Sequence, residues 1–212
     1  METGRQIGIS LVTMNNNLAF YQNNKNALIE QYDSVSFESV HGDWIEFLPN
    51  SGKALDIGAG SGRDARYLSK HGLSVYAIEP ALSLMLAARE NSADHDINWF
   101  QDSLPSLNQI KLVNVQFDLV LLSAVWMHLS PIDRIETMRQ LSSLLNAGGR
   151  LVITLRHGAF SDARTAYFVS ADEVCQLADH NDLSVLLITD LASDQLGRGD
   201  VAWQTLVLEK KT

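Results

Sequence analysis

The stretch Leu55-Asp-Ile-Gly-Ala-Gly-Ser-Gly62 sets how the rest of the chain is read. The apolar run Lys53-Ala-Leu-Asp-Ile57 leads into it, and a helical pattern from about Ser61 to His71 leads out, stopped by Gly72. A strand, a glycine turn and a helix in succession open a unit of α/β sheet. Ligands of such sheets bind beyond the carboxyl ends of the strands, near the switch point. Glycines at that turn let backbone approach a ligand with no Cβ in the way.

Working outward, strand-like and helical patterns alternate. Ser74-Val-Tyr-Ala-Ile78 precedes a helix from Pro80 to about Asn91, and Ile97 to Gln101 reads as a third strand. Phe117-Asp-Leu-Val-Leu-Leu122 is too apolar for a sheet with one wet face, so it belongs at the centre, covered on both sides. Ser130 and Pro131 open a helix that runs to about Leu145, with Ile135, Met138, Leu141, Leu144 and Leu145 marking its buried face. Asn146-Ala-Gly-Gly149 ends it, and Arg150 to Leu155 is a strand. Ser170 and Glu173 form a capping box for another helix. Two strand-like runs, Leu183 to Thr189 and Val201 to Glu209, have no helix between them and predict an antiparallel hairpin at the sheet edge. The expectation is one α/β domain over residues 1–212. It has a Rossmann-like, mostly parallel seven-stranded sheet with helices on both faces, a core over 45–212, and a helical lid over 1–44.

Three features bear on the ligand. Glu79 ends the second strand, 21 residues beyond Gly58, where a carboxylate accepts from both hydroxyls of an adenosine ribose; this also fits NAD. Asp102 and Ser103 follow the third strand, where an acidic side chain can accept from an adenine amino group. Arg63 stands where the dinucleotide fingerprint wants a third small residue beneath a pyrophosphate. S-adenosylmethionine has no phosphate, and Asp56 would favour its ammonium group directly or through water.

Composition narrows the partners. Hydrophobic residues make up 46% and charged residues 19%, values of an ordinary globular protein. Lysine and arginine number 16 against 25 acidic residues, a net charge of −9 with no basic stripe, which argues against a nucleic-acid substrate. One cysteine, Cys175, reads as a buried apolar residue and fits a reducing compartment. Neither a signal peptide nor a run of about 20 apolar residues is present, so the expectation is a cytoplasmic protein without a membrane partner. Glu90, Asp94, His95 and Asp96 match no metal-ligand spacing, and no metal is expected. Nothing in the chain sets an oligomeric state.

Together these motifs resemble the class I S-adenosylmethionine-dependent methyltransferases, from about Val40 to Glu209. Leu55 to Asp64 looks like the first motif of that family, Val75-Tyr-Ala-Ile-Glu-Pro80 the second, and Phe100-Gln-Asp-Ser-Leu-Pro105 the third. Phe117-Asp-Leu-Val followed by Trp126-Met-His-Leu129 resembles the fourth strand and its loop, and Leu145 to Thr154 the step into the fifth. The stretches ending in His128 and Gly158 resemble small bacterial members likened to tellurite-resistance methyltransferases. The resemblance implies that Gly58, Ala59, Gly60, Ser61 and Gly62 pass the methionine and ribose, with Asp56 near the amino group. It puts Glu79 on the ribose diol, Pro80 or Met85 against the adenine, and Asp102 and Ser103 at the adenine edge. Ser123 to Trp126, Val125 included, would line the pocket beside the methyl group.

The methyl acceptor is not named by any motif. Trp126 and His128 lie just past the central strand, where an acceptor arrives, and Arg156 and His157 end the fifth strand at the same rim. The planar fork of Arg156 suits a carboxylate or phosphate, and His128 or His157 can serve as general base. Tyr21, Tyr32 and His41 lie in the lid segment as candidate ligand contacts. No Asn/Asp-Pro-Pro-aromatic run follows the fourth strand and no cysteine lies near it, which leaves a small-molecule acceptor as the expectation. Two other readings stay open: an NAD-dependent oxidoreductase, and a cofactor-binding scaffold or regulatory subunit without acceptor chemistry.

Overall fold

The computed structural model describes residues 16–212. Ahead of the sheet lie helix α1 (residues 16–23), α2 (Lys25–Asp33), α3 (Phe37–His41) and a 3-10 turn (Gly42–Phe47). Then come β1 (Lys53–Ile57), α4 (Arg63–Lys70), β2 (Ser74–Ile78), α5 (Leu82–Asn91), β3 (Ile97–Phe100), α6 (Asn108–Val113) and β4 (Phe117–Leu122). A short 3-10 turn (Trp126–His128), α7 (Pro131–Leu144), β5 (Leu145–His157), α8 (Ala171–Asp179), β6 (Leu183–Ile188), β7 (Ala192–Ser193) and β8 (Ala202–Lys210) complete it.

The strands are ordered β3-β2-β1-β4-β5-β8-β6, and β7, off this path, pairs with β8. The first five run parallel. β8 lies antiparallel between β5 and β6, so the hairpin expected at the edge is there, with the later strand inside. Seven strands make the main path, and the two-residue β7 is an eighth.

Strand β4 shows why the centre holds. Phe117, Val120 and Leu122 join a core cluster with Met138, Leu141, Val174 and Ala178 from α7 and α8. Leu119 and Leu121 point the other way, to Phe37, Trp44, Ala65 and Leu68. Each of these large side chains contributes roughly 1.5–3 kcal/mol by leaving water. Ser130 caps α7 by accepting from the Asp133 N–H, with Pro131 in the first turn. Ser170 likewise accepts from the Glu173 N–H, but the Glu173 carboxylate leaves the box for buried Arg134, 2.6 Å away, tying α8 to α7.

Several boundaries differ from expectation for local reasons. Pro80 lies before α5, because the Glu79 carboxylate holds the Ala81 N–H and delays the helix to Leu82. Ile135 is 54% exposed, so the buried stripe of α7 runs through Met138 and Leu141 instead. Leu145 has already entered β5, and Cys175 is half-buried rather than buried.

Candidate active site

A cavity of about 790 Å³ opens beyond the carboxyl ends of β1 and β4, lined by Ile57 and Gly58 on one side and Ser123 and Ala124 on the other. This is where the strand order reverses, the expected place for a ligand. The volume lies within the range of sites for small molecules and cofactors.

Its first end is made mainly of backbone. The Gly58 and Ala59 N–H groups both donate to the Ile78 carbonyl at 2.9 Å, pinning the turn to the end of β2. Gly58, Gly60 and Gly62 all have positive φ. A Cβ on Gly58 would meet Val125 Cγ2 at 2.6 Å, so both the conformation and the space require glycine. Glu79 is 5% exposed, with Oε2 accepting from the Gly60 N–H (3.1 Å) and Oε1 from the Ala81 N–H (2.9 Å). Burial pushes its carboxyl up to about 7. Ser61 donates to Asp33 at 2.7 Å, which Arg66 also holds, so α2 is fastened over the turn. Pro80, Ser103, Ser123 and Val125 line the cavity together with Ala59, Gly60 and Ser61.

Several expected contacts are corrected. The Asp102 carboxylate reaches the wall but caps α6, accepting from the N–H groups of Ser103, Asn108, Gln109 and Ile110 at 2.8–3.1 Å. Four donors saturate its oxygens, leaving none for an adenine amino group. Met85 turns into the core, and Leu84 lines the cavity in its place. Asp56 is 1% exposed and does not line the cavity; its Oδ2 is buried without a partner, and burial raises its carboxyl well above the usual range. Any contact with a ligand ammonium must therefore pass through an intervening group. His41 is fully buried, held by Trp44 Nε1 at 3.0 Å and by Asp64 at 3.1 Å. It orients Asp64, which lines the cavity, and does not line it itself.

The second end is made of side chains. Asn17 of α1 accepts from the Thr165 N–H (2.8 Å) and donates to its carbonyl (2.9 Å). The same amide nitrogen lies 3.1 Å from His128 Nδ1, while Tyr21 Oη lies 2.9 Å from Nε2. Both ring nitrogens are engaged, and burial holds the imidazole down to about 4. A group with that pKa is a weak proton acceptor at neutral pH. His128 lines the cavity and ties α1 over it, but does not fit the expected general base.

Arg156 lines the cavity, whereas His157 does not, because successive strand residues face opposite sides. Trp126 is fully buried in the core, with Met127 on the cavity wall instead. Tyr21 and Tyr32 line the cavity as expected. Three participants were not singled out from sequence. Thr154 accepts from the Ala124 N–H at 2.8 Å and holds Ala124 at φ 60°. The Phe160 ring stacks with His128, and Arg164 lies 4.1 Å above the Phe160 centroid. Thr154 could have been found from its i, i+2 relation to Arg156, while Phe160 and Arg164 lie in a loop with no periodic signal.

Residues 55–151 match the family model described as a methyltransferase domain. No curated protein matches the chain. Among solved structures, a TehB-like S-adenosylmethionine-dependent methyltransferase from Corynebacterium glutamicum is 24% identical, with TM-score 0.68 over 91% of this chain and 99% of that one. An S-adenosylmethionine-dependent methyltransferase from Methanosarcina mazei is 15% identical, with TM-score 0.66 over 78% and 95%. The magnesium protoporphyrin IX methyltransferase of Synechocystis, with bound S-adenosylmethionine, is 14% identical, with TM-score 0.60 over 90% and 79%. Residues 55–151 thus carry a methyltransferase domain, on a fold shared with solved S-adenosylmethionine-dependent methyltransferases. The residues at the β1–β2 end fit S-adenosylmethionine: a buried carboxylate, Glu79, where a ribose would lie, glycines that clear the turn, and an orphaned Asp56 oxygen below it.

Proposed function

We propose that this chain is a one-domain cytoplasmic enzyme that transfers the methyl group of S-adenosylmethionine to a small-molecule acceptor held under α1. Bound S-adenosylmethionine supplies a sulfonium methyl whose leaving group, a neutral thioether, needs no protonation. Glu79 accepts from the ribose hydroxyls, and the Gly58–Gly62 turn leaves room for the chain that joins ribose to methionine. Thr154 fixes the Ser123–Ala124 backbone at the wall between cofactor and acceptor. Helix α1, joined to His128 and Thr165, keeps water from the reacting groups. Rate then comes from alignment, because a good nucleophile needs no base once it is positioned. The observation that carries this reading is the single cavity shared by buried Glu79 at one end and Tyr21, His128 and Arg156 at the other.

The test has two arms. Calorimetric titration should show binding of S-adenosylmethionine or S-adenosylhomocysteine and none of NAD; tight NAD binding alone would restore the oxidoreductase reading. A panel of small acceptors incubated with methyl-labelled cofactor should give a product heavier by one methylene. Cofactor binding with no turnover on any acceptor class would favour the scaffold.

A further inference from the structure

The two ends of the cavity differ in charge. Glu38, Glu79 and Asp64, the last paired with Arg63, lie toward the glycine turn, and Arg156, Arg164 and Arg198 toward the far end. Arg164 pairs with Asp162 and Arg198 with Asp194, each at 2.6 Å. Among the described residues Arg156 has no carboxylate partner, although it is only 5% exposed in a protein of net charge −9. Its Nη groups donate to the carbonyls of Gly158 and Ala159, and its guanidinium stacks 4.1 Å from the Phe160 centroid. The Nε–H is buried and has no acceptor. Burying a cation without a counter-ion is costly, and so is leaving a buried donor unpaired.

We propose that Arg156 is the binding residue for a carboxylate on the methyl acceptor, so that the substrate class is small carboxylic acids with an apolar body. This deepens the methyltransferase reading and rests on it. The stacking and the two carbonyl contacts hold the guanidinium in one orientation, so its unused N–H donors stay coplanar, an arrangement that matches the two oxygens of a carboxylate. Tyr21, Met127 and Phe160 supply apolar wall for the rest of the molecule. The acceptor anion completes the ion pair that Arg156 lacks, and its charge opposes the positive sulfonium at the other end.

The probes are benzoate, phenyl phosphate and uncharged benzamide, titrated calorimetrically into protein saturated with S-adenosylhomocysteine. Benzoate should bind at least about tenfold more tightly than benzamide, and more tightly than phenyl phosphate. Arg156→Gln should remove that preference, Arg156→Lys should keep part of it, and Arg89→Gln, a surface change, should keep all of it. Equal binding of benzoate and benzamide to the parent would overturn the proposal without any variant, even should Arg156→Gln fail to fold. Preference for phenyl phosphate would overturn the carboxylate assignment. Absence of S-adenosylhomocysteine binding in the parent would instead bring down the methyltransferase reading beneath it.

Discussion

At the β1–β2 end of the cavity the holding contacts are backbone groups close in sequence, such as the Gly60 N–H on Glu79, 19 residues apart. At the α1 end they are side chains from remote segments: Tyr21 on His128 across 107 residues, and Asn17 on Thr165 across 148. The first arrangement tolerates almost no change at a few glycines and is indifferent to most neighbouring side chains. The second can be re-specified one side chain at a time while the sheet beneath stays as it is. A fold that keeps one cofactor and varies its acceptor needs this division, because function is grafted on as a site rather than supplied by the architecture.

The largest effect should come from Gly58→Ala. Positive φ costs a non-glycine residue about 1–2 kcal/mol, and the clash with Val125 adds an overpacking penalty of about 1–3 kcal/mol. Calorimetry should show Tm lower by roughly 5–15 °C and affinity for S-adenosylhomocysteine lower by at least about a hundredfold. Val125→Ala in the same chain should recover the clash but not the strain. Parent-like melting would mean that the backbone end is softer than its contacts indicate.

A smaller effect follows from Glu79, whose carboxyl burial has raised to about 7. Below that pH it is protonated, and the ribose loses its anionic acceptor. Affinity for S-adenosylhomocysteine should therefore rise about tenfold from pH 6 to pH 8 and stay flat in Glu79→Gln. The free protein runs the other way: a raised carboxyl pKa means stability lost as pH climbs from the usual carboxylate range through about 7. A pH-independent parent would remove the ribose from Glu79.

The smallest effect tests the side-chain end. His128 is held at about 4, so its contribution to stability is complete above the ordinary histidine range and is lost as pH falls through about 4. Thermal melts of His128→Gln should show a flatter acid limb, by about 1–2 kcal/mol once partial exposure is allowed for. Cofactor affinity at neutral pH should stay within about threefold. A tenfold loss there would show that the two ends of the cavity are coupled.

What the sequence revealed divides along the same line. Strand runs, the glycine turn and Glu79 are local signals, so they could be read directly. Arg156 and His157 could also have been separated, because alternation along β5 forbids both from facing one cavity. Trp126 could not: whether the ring or Met127 faces the cavity depends on a three-residue 3-10 turn. Asp102 was misread because the helix it caps, six residues long, is too short to announce itself by periodicity. Asn17, Phe160 and Arg164 are brought together only by the finished fold.

The place of β8 has a consequence for how the protein is made. It is synthesised after β6 yet lies between β6 and β5. A nascent chain can join β1 to β5 and fold α8 back against the sheet, but β6 has no strand to pair with until residues 202–210 arrive. Until then the outer edge of β5 offers unpaired backbone to any passing strand. The wall carrying Trp203 is absent for the same interval. Completion of the acceptor end therefore coincides with closure of the sheet, and a chain interrupted before residue 202 would hold the cofactor turn without the chamber it serves.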